Sequence, residues 1–277
     1  MSAAAPPATG TETVVVAGTT IRVSVEGDGP PLLLLPGIGS SLEMWGPLRS
    51  RLEGRTTIAF DPPGIGRSPN TRSFWTVGRV AHLAAAVLDR WAPDTLPDVV
   101  GYSFGGLVAQ HLARLRVLRR LALVATTAGQ PAIPPLPHRL LTMLQGGFLV
   151  QAGRYDRDPQ LGRLFGGRSA RQPDALTAAM GLLGSSPPSL TGYYGQALAA
   201  SLWTGLPWLH LLSLPTLVMT GTDDRLVPPA NSRLIACSAP GARLRVLKGA
   251  GHLLVLDDAE RVAAELVPFF EEDRRIG

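Results

Sequence analysis

Short continuous apolar runs alternate with longer stretches of helical periodicity along most of this chain. Leu32 to Leu35 is apolar at every position, the pattern of a strand buried on both faces. Val99–Val100 and Leu121 to Val124 are apolar too, Thr57 to Phe60 and Pro215 to Gly221 read as further strands, and Arg243 to Leu247 reads as a last strand. Between them, Val77, Val80, Ala81, Ala84, Val87, Leu88 and Trp91 recur at spacings of three and four, which predicts a helix from about Thr76 to Trp91. Further helices are predicted near Leu42 to Leu52, Gly105 to Leu115, Pro229 to Ala236 and Ala259 to Phe270. Strands alternating with helices predict a parallel α/β sheet. Ahead of it, Thr11 to Ala17 and Thr20 to Val25 are rich in β-branched residues and separated by Gly18, the signature of an antiparallel hairpin.

The alternation stops at Gln130 and resumes at Pro215. The intervening text is rich in Pro and Gly, with helical patches and no convincing strand. The expected organisation is therefore a flexible tail over residues 1–10, a sheet domain built from residues 11–129 and 215–277, and an insertion over residues 130–214. No internal repeat is present.

Composition narrows the class without naming a function. The 277 residues are 45% hydrophobic and 17% charged, enough for a large core without covalent staples. The single cysteine excludes an internal disulfide, and its setting in Leu234-Ile235-Ala236-Cys237 predicts a buried bystander. The net charge of +5 comes almost wholly from arginines spread along the chain. Their densest run, Arg114 to Arg120, falls where a helix ends and a strand begins, and reads as solvated cations complementing a helix C-terminus. With no basic patch interleaved with aromatics, a nucleic-acid partner is not expected. The start of the chain lacks a secretory pattern and no apolar run is long enough for a transmembrane segment, so a cytoplasmic location is expected.

The chemistry gathers around Val99-Val100-Gly101-Tyr102-Ser103-Phe104-Gly105-Gly106. Gly101-x-Ser103-x-Gly105 fits a serine on a sharp strand-to-helix turn, where crowding demands neighbours without side chains. A serine hydroxyl needs a base in reach and a third group to orient that base. Of five histidines, His82 and His111 fall in predicted helices, and His138 and His210 flank the insertion. His252 follows the last strand in Gly249-Ala250-Gly251-His252, which brings it to the sheet edge that holds Ser103. The loop Gly221-Thr222-Asp223-Asp224 follows another strand and offers two carboxylates. Asp224 is the expected acid and Asp223 the alternative, while Asp61, upstream of the serine, braces its own turn. Two backbone N–H groups suit an oxyanion: that of Phe104 at the helix start, and that of Ile38 in the loop Pro36-Gly37-Ile38-Gly39. No His/Cys ligand cluster is present, so neither metal nor organic cofactor is implied.

With these strings in order, the chain resembles the α/β-hydrolases over about residues 11–272. The resemblance implies a mostly parallel eight-stranded sheet flanked by helices, with an inserted helical cap over the site. Pro36 is a departure, since many members carry His there. More narrowly, GIGSSLEMW, ATTAG, TGYYGQ and WTGLPWLH are similar to intracellular depolymerases of medium-chain poly(3-hydroxyalkanoates). Tyr193, Tyr194, Trp203 and Trp208 concentrate aromatics in the insertion; together with Trp45 they are the expected lining of an apolar substrate pocket, the alternative for the four being packing anchors of the insertion's own helices.

The expected activity is hydrolysis of a small-molecule or polymeric carboxylic ester with a hydrophobic acyl part. Serine at the elbow argues against epoxide hydrolase and dehalogenase chemistry, which need aspartate there. Lactone opening, carbon–carbon bond hydrolysis, acyl transfer, perhydrolysis and a non-catalytic receptor on the same fold stay open at this point, as does the oligomeric state.

Overall fold

The computed structural model describes residues 10–134 and 159–272. Nine residues of the expected tail, 1–9, and His138 lie outside the described residues.

The run pattern becomes an eight-stranded sheet in the order β1-β2-β4-β3-β5-β6-β7-β8. β1 (Gly10–Val16) and β2 (Thr19–Glu26) form the predicted hairpin, and β2 pairs antiparallel with β4 (Thr56–Asp61). From β4 across to the far edge every pairing is parallel: β3 (Pro31–Leu35), β5 (Asp98–Tyr102), β6 (Arg120–Val124), β7 (Thr216–Gly221) and β8 (Arg243–Leu247). β3 shows why a continuous apolar run was needed. Leu33 and Leu35 enter one apolar layer with α2 (Val77–Trp91) and α3 (Phe104–Leu115). Leu32 and Leu34 enter the opposite layer with Met44, Leu48 and the C-terminal helix Ala259–Glu271.

The site is located by strand order. β3 lies between β4 and β5, with Leu32 beside Thr57 on one side and Leu35 beside Gly101 on the other. After β3 the chain passes into residues of one layer (Leu42, Met44), and after β5 into α3 in the other. The two loops therefore diverge and leave a crevice at the C-terminal strand ends, where open α/β sheets bind ligands.

Three expectations need correction. The helix expected near Leu42 to Leu52 is two short turns, a 3-10 turn Leu42–Trp45 and α1 (Gly46–Arg49), because Pro47 has no N–H to continue the preceding turn. Cys237 is exposed: on Pro229–Ser238 it is Ile235 that faces the core, and a residue two positions on lies around the far side. The arginines of the 114–120 run are not simply solvated. Arg116 pairs with Asp89, and Arg119 shares the buried carboxylate of Asp98 with Arg55. Arg120 is buried with its guanidinium over the ring of Phe269. A strand start between two neighbours gives a cation no route to bulk water, so it is met by carboxylate and aromatic faces instead.

Between β6 and β7 the described residues are helical: α4 (Pro159–Phe165), α5 (Gly167–Arg171), α6 (Pro173–Gly184), α7 (Leu190–Leu202) and a 3-10 turn Leu206–Leu211. A bridge between Gly129 and Thr204 draws the two ends of this segment together. Ser189 caps α7, its Oγ accepting from the Gly192 N–H at 2.9 Å. No described helix is long and apolar enough to cross a membrane.

Candidate active site

β5 passes into α3 at Ser103, whose backbone stands at φ 51° and ψ −114°. A non-glycine residue there is strained by about 1–3 kcal/mol. The surroundings hold it. The Ser103 N–H donates to the Val124 carbonyl at 2.9 Å, and the Ser103 carbonyl accepts from the Thr126 hydroxyl at 2.7 Å. Gly105 is required by close approach, since a Cβ there would stand 2.0 Å from the Leu35 carbonyl oxygen.

His252 meets Ser103 from the loop after β8. Its Nε2 is 3.1 Å from Ser103 Oγ, and its Nδ1 is 2.9 Å from Asp224 Oδ2. Nδ1 approaches a carboxylate as an N–H donor, which leaves Nε2 as the acceptor facing the hydroxyl. The other Asp224 oxygen accepts from the Val227 N–H at 2.7 Å, so the carboxylate is held from both sides. His252 and Asp224 are both buried. Asp223, the alternative acid, is turned away. Its oxygens meet the Thr222 hydroxyl at 2.8 Å and Arg171 Nη1 at 2.7 Å, and those two bonds hold its carboxyl below the usual range.

The loop 37–40 runs beside Ser103: a Cβ on Gly37 would lie 3.6 Å from the Ser103 Cβ. The Ser40 N–H donates to the Gly37 carbonyl at 3.2 Å, and Gly39 stands at φ 67°. Ile38 is not among the positive-φ residues, so this is a type II turn with Ile38 at its second position. Phe104 is the first residue of α3, where an N–H has no acceptor within the helix. Asp61 does more than brace its own turn. One oxygen accepts from the Arg67 N–H at 3.0 Å and the other from the Leu42 N–H at 2.7 Å, which ties the loop after β4 to the loop after β3. Burial pushes its carboxyl up.

Three further residues contact His252 or the 37–40 loop. The ring of Phe165, at the end of α4, stacks on the His252 imidazole with centroids 6.4 Å apart and planes 13° apart. The Phe165 carbonyl accepts the His252 N–H at 2.7 Å. The Tyr102 hydroxyl donates to the His252 carbonyl at 3.0 Å, and burial, followed by the charges of Asp224 and Asp257, pushes that phenol well above its ordinary value. Gln196 on α7 accepts the Gly39 N–H at 2.7 Å. Tyr102 and Gln196 were inside strings already singled out, whereas nothing in the text around Phe165 marks it.

The five expected pocket aromatics part company. Tyr193 covers the 37–40 loop: a Cβ on Gly39 would meet its ring at 2.6 Å. Tyr194 stands edge-on to Tyr193 at 5.5 Å. Trp45 does not line the site. It is wholly buried, edge-on to Tyr102 at 6.4 Å on the side of the sheet occupied by the C-terminal helix, because the short 42–45 turn points it inward. Trp203 and Trp208 pack on each other at 5.9 Å and clasp the second half of α3. Trp203 Nε1 is 3.4 Å from His111 Nδ1, and Trp208 lies under the Arg114 guanidinium at 4.2 Å. They are packing anchors for the returning chain, about two to three helical turns from Ser103. Among the described residues no three His, Cys, Asp or Glu side chains are grouped to hold a metal ion.

A model of the alpha/beta hydrolase family matches residues 32–265 of this chain. The chain is 34% identical over 269 residues to a poly(3-hydroxyalkanoate) depolymerase of Ectopseudomonas oleovorans, covering 95% of this chain and 93% of that one. It is 29% identical over 247 residues to a pimeloyl-[acyl-carrier protein] methyl ester esterase of Neisseria meningitidis, covering 86% and 92%. Among solved structures, the esterase EaEST from Exiguobacterium antarcticum aligns with a TM-score of 0.82 at 22% identity, over 95% of this chain and all 100% of that one. The enol-lactonase from Burkholderia xenovorans LB400 aligns at 0.79 and 24%, over 94% and 100%. At those identities the two structures speak for the fold.

Proposed function

Since the chain belongs to the alpha/beta hydrolase family, we propose that it is a serine hydrolase of carboxylic esters with a hydrophobic acyl part. The observation that carries this reading is the buried relay from Ser103 Oγ through His252 to Asp224, with spacings of 3.1 and 2.9 Å. Ser103 Oγ attacks the ester carbonyl carbon as His252 Nε2 takes its proton. Asp224 keeps the Nδ1 proton in place and stabilises the imidazolium. The N–H groups of Ile38 and Phe104 receive the negative oxygen of the tetrahedral intermediate. His252 returns the proton to the leaving alcohol, and the acyl group stays on Ser103. A water molecule, deprotonated by His252, then attacks the acyl carbonyl; the bond to Ser103 Oγ breaks as His252 returns the proton to that oxygen, and the acid is released.

The residues between β6 and β7 act in this reading as a cap, with Tyr193 and Tyr194 on the acyl side. The end-to-end relationship with a poly(3-hydroxyalkanoate) depolymerase favours a polyester of hydroxyalkanoates, or its oligomers, as the substrate.

The test uses a p-nitrophenyl ester series of increasing acyl length, a fluorophosphonate probe and a hydroxyalkanoate polymer. Expected are labelling and turnover in the wild type, both lost in Ser103→Ala, with a rate that rises with acyl length and release of 3-hydroxyacid from the polymer. Full turnover by Ser103→Ala refutes the mechanism. A flat response to acyl length refutes the hydrophobic pocket, and inert polymer beside good ester turnover confines the substrate to small esters.

A further inference from the structure

Gln196 lies on α7 within the string Thr191 to Gln196, and its side chain is buried. The Gly39 N–H can only donate, so the 2.7 Å bond fixes the amide with its oxygen toward Gly39. That leaves Nε2 buried with no acceptor among the described residues. An unpaired buried donor is costly, but an apolar side chain of the same length would instead leave the buried Gly39 N–H without its acceptor. The amide thus pairs the Gly39 N–H while leaving its own Nε2 unpaired, and what it secures is the orientation of that one peptide.

The other half of the amide grips a peptide unit whose orientation matters. The turn 37–40 is type II, and types I and II differ by a flip of the central peptide. Here the central peptide joins Ile38 to Gly39, and its N–H is the group that Gln196 accepts. A flip would carry the Ile38 carbonyl to the side now facing Gln196 Oε1, oxygen against oxygen. The side chain thus holds the turn in one of its two states, and the Ile38 segment that flanks Ser103 with it. Stabilisation of an oxyanion depends on donors that need no rearrangement during the reaction.

On the reading of the site given above, we propose that Gln196 is a positioning residue for the oxyanion. From the inserted segment it locks the Ile38–Gly39 peptide, and so sets how well the tetrahedral intermediate is held.

The test compares wild type, Gln196→Met, Gln196→Leu and Leu198→Ala, the last an exposed position on the same helix. Rates are normalised to active sites counted by complete fluorophosphonate labelling, and thermal unfolding is recorded for each. Expected for both Gln196 variants is a kcat about tenfold lower with KM within about twofold, part of what losing a whole oxyanion donor costs. Affinity for an alkyl trifluoromethyl ketone, which forms a tetrahedral adduct on the serine, falls by the same factor. Leu198→Ala stays at wild-type values. Unchanged kcat and ketone affinity in labelled Gln196 variants overturn the proposal, as does a change confined to KM or to thermal stability. Failure of the parent reading looks different: Ser103→Ala would then keep its turnover.

Discussion

β3 and α7 are both built on leucines, and they use them in opposite ways. Leu32 to Leu35 are all buried, two into each layer beside the sheet. On α7, Leu190, Leu198 and Leu202 face outward, Leu202 being 73% exposed, while Tyr193, Gln196, Ala197 and Ala200 face inward. The sheet is held by apolar burial. The described segment between β6 and β7 also lends Leu176, Met180, Ala199 and Ala200 to the two apolar layers, but its backbone contacts and polar bonds fall on the loops that carry the candidate site. Gln196 and Tyr193 meet the 37–40 loop, Gly166 meets Asp223, and Phe165 meets His252. Stability should therefore reside in the sheet and catalytic geometry in the segment laid over it.

The sharpest contrast comes from two glycines. Gly105→Ala drives a methyl to 2.0 Å from the Leu35 carbonyl oxygen, and should cost about 3 kcal/mol or more by denaturant unfolding. Gly166→Ala meets the Asp223 carbonyl oxygen at 1.8 Å from a backbone at φ 68°, and should lower kcat at least about tenfold while moving the unfolding midpoint less. A midpoint shift as deep as that of Gly105→Ala would mean that the two regions unfold as one.

Phe165→Leu keeps the carbonyl that accepts the His252 N–H but removes the stacked ring. It should lower kcat/KM roughly tenfold with little loss of stability. Loss of stability without loss of rate would move Phe165 to the framework side of the comparison. Trp208→Leu should behave in the reverse way, costing about 1–3 kcal/mol and leaving the acyl-length profile of the ester series unchanged. A changed profile would return Trp208 to the pocket.

The smallest effect is at Asp257, whose Oδ2 accepts from the Ser169 N–H at 3.1 Å and the Ser169 hydroxyl at 2.6 Å, joining α5 to the framework. Burial, the largest cause, raises its carboxyl above the ordinary value. The folded protein therefore keeps this proton where the unfolded chain has released it. Its contribution to stability is fullest below about pH 4, the unfolded value, and declines as pH rises toward the raised folded value. Asp257→Asn, which keeps an acceptor for Ser169, should remove that decline. Wild type measured against the variant should lose a few tenths of a kcal/mol or more across that window. An identical pH dependence in both proteins would contradict it.

Much of the framework was readable from local pattern. Every predicted strand is present within one or two residues: the central ones because a strand between two layers has little face left for polar residues and prints as an apolar run, the first two because β-branched residues flank the turn at Gly18. Ser103, Asp224 and His252 were readable for a related reason: each follows a strand at the same sheet edge, so strand order converts position in the text into position in space. The aromatic cluster kept two readings because one helix face can serve a pocket or a core. Composition cannot tell Tyr193, lying on the 37–40 loop, from Trp208, lying under Arg114. The setting of Cys237 misled, since apolar neighbours on a helix occupy different faces.

Chain order and periodicity were enough for the sheet, the strand-to-helix turn at Ser103 and the meeting of Ser103, His252 and Asp224 at one sheet edge, because these follow from short-range sterics and alternation. Which of two adjacent carboxylates turns to the base was decided by long-range contacts, in which Val227 holds Asp224 while Arg171 draws Asp223 outward. The same is true of the grips on His252 and Gly39. Phe165 is 87 positions from the base it stacks on, and Gln196 is 157 positions from the peptide it holds. Neither partner leaves a local trace, because both contacts join residues far apart in the chain that only the packing of the β6–β7 segment on the sheet brings together.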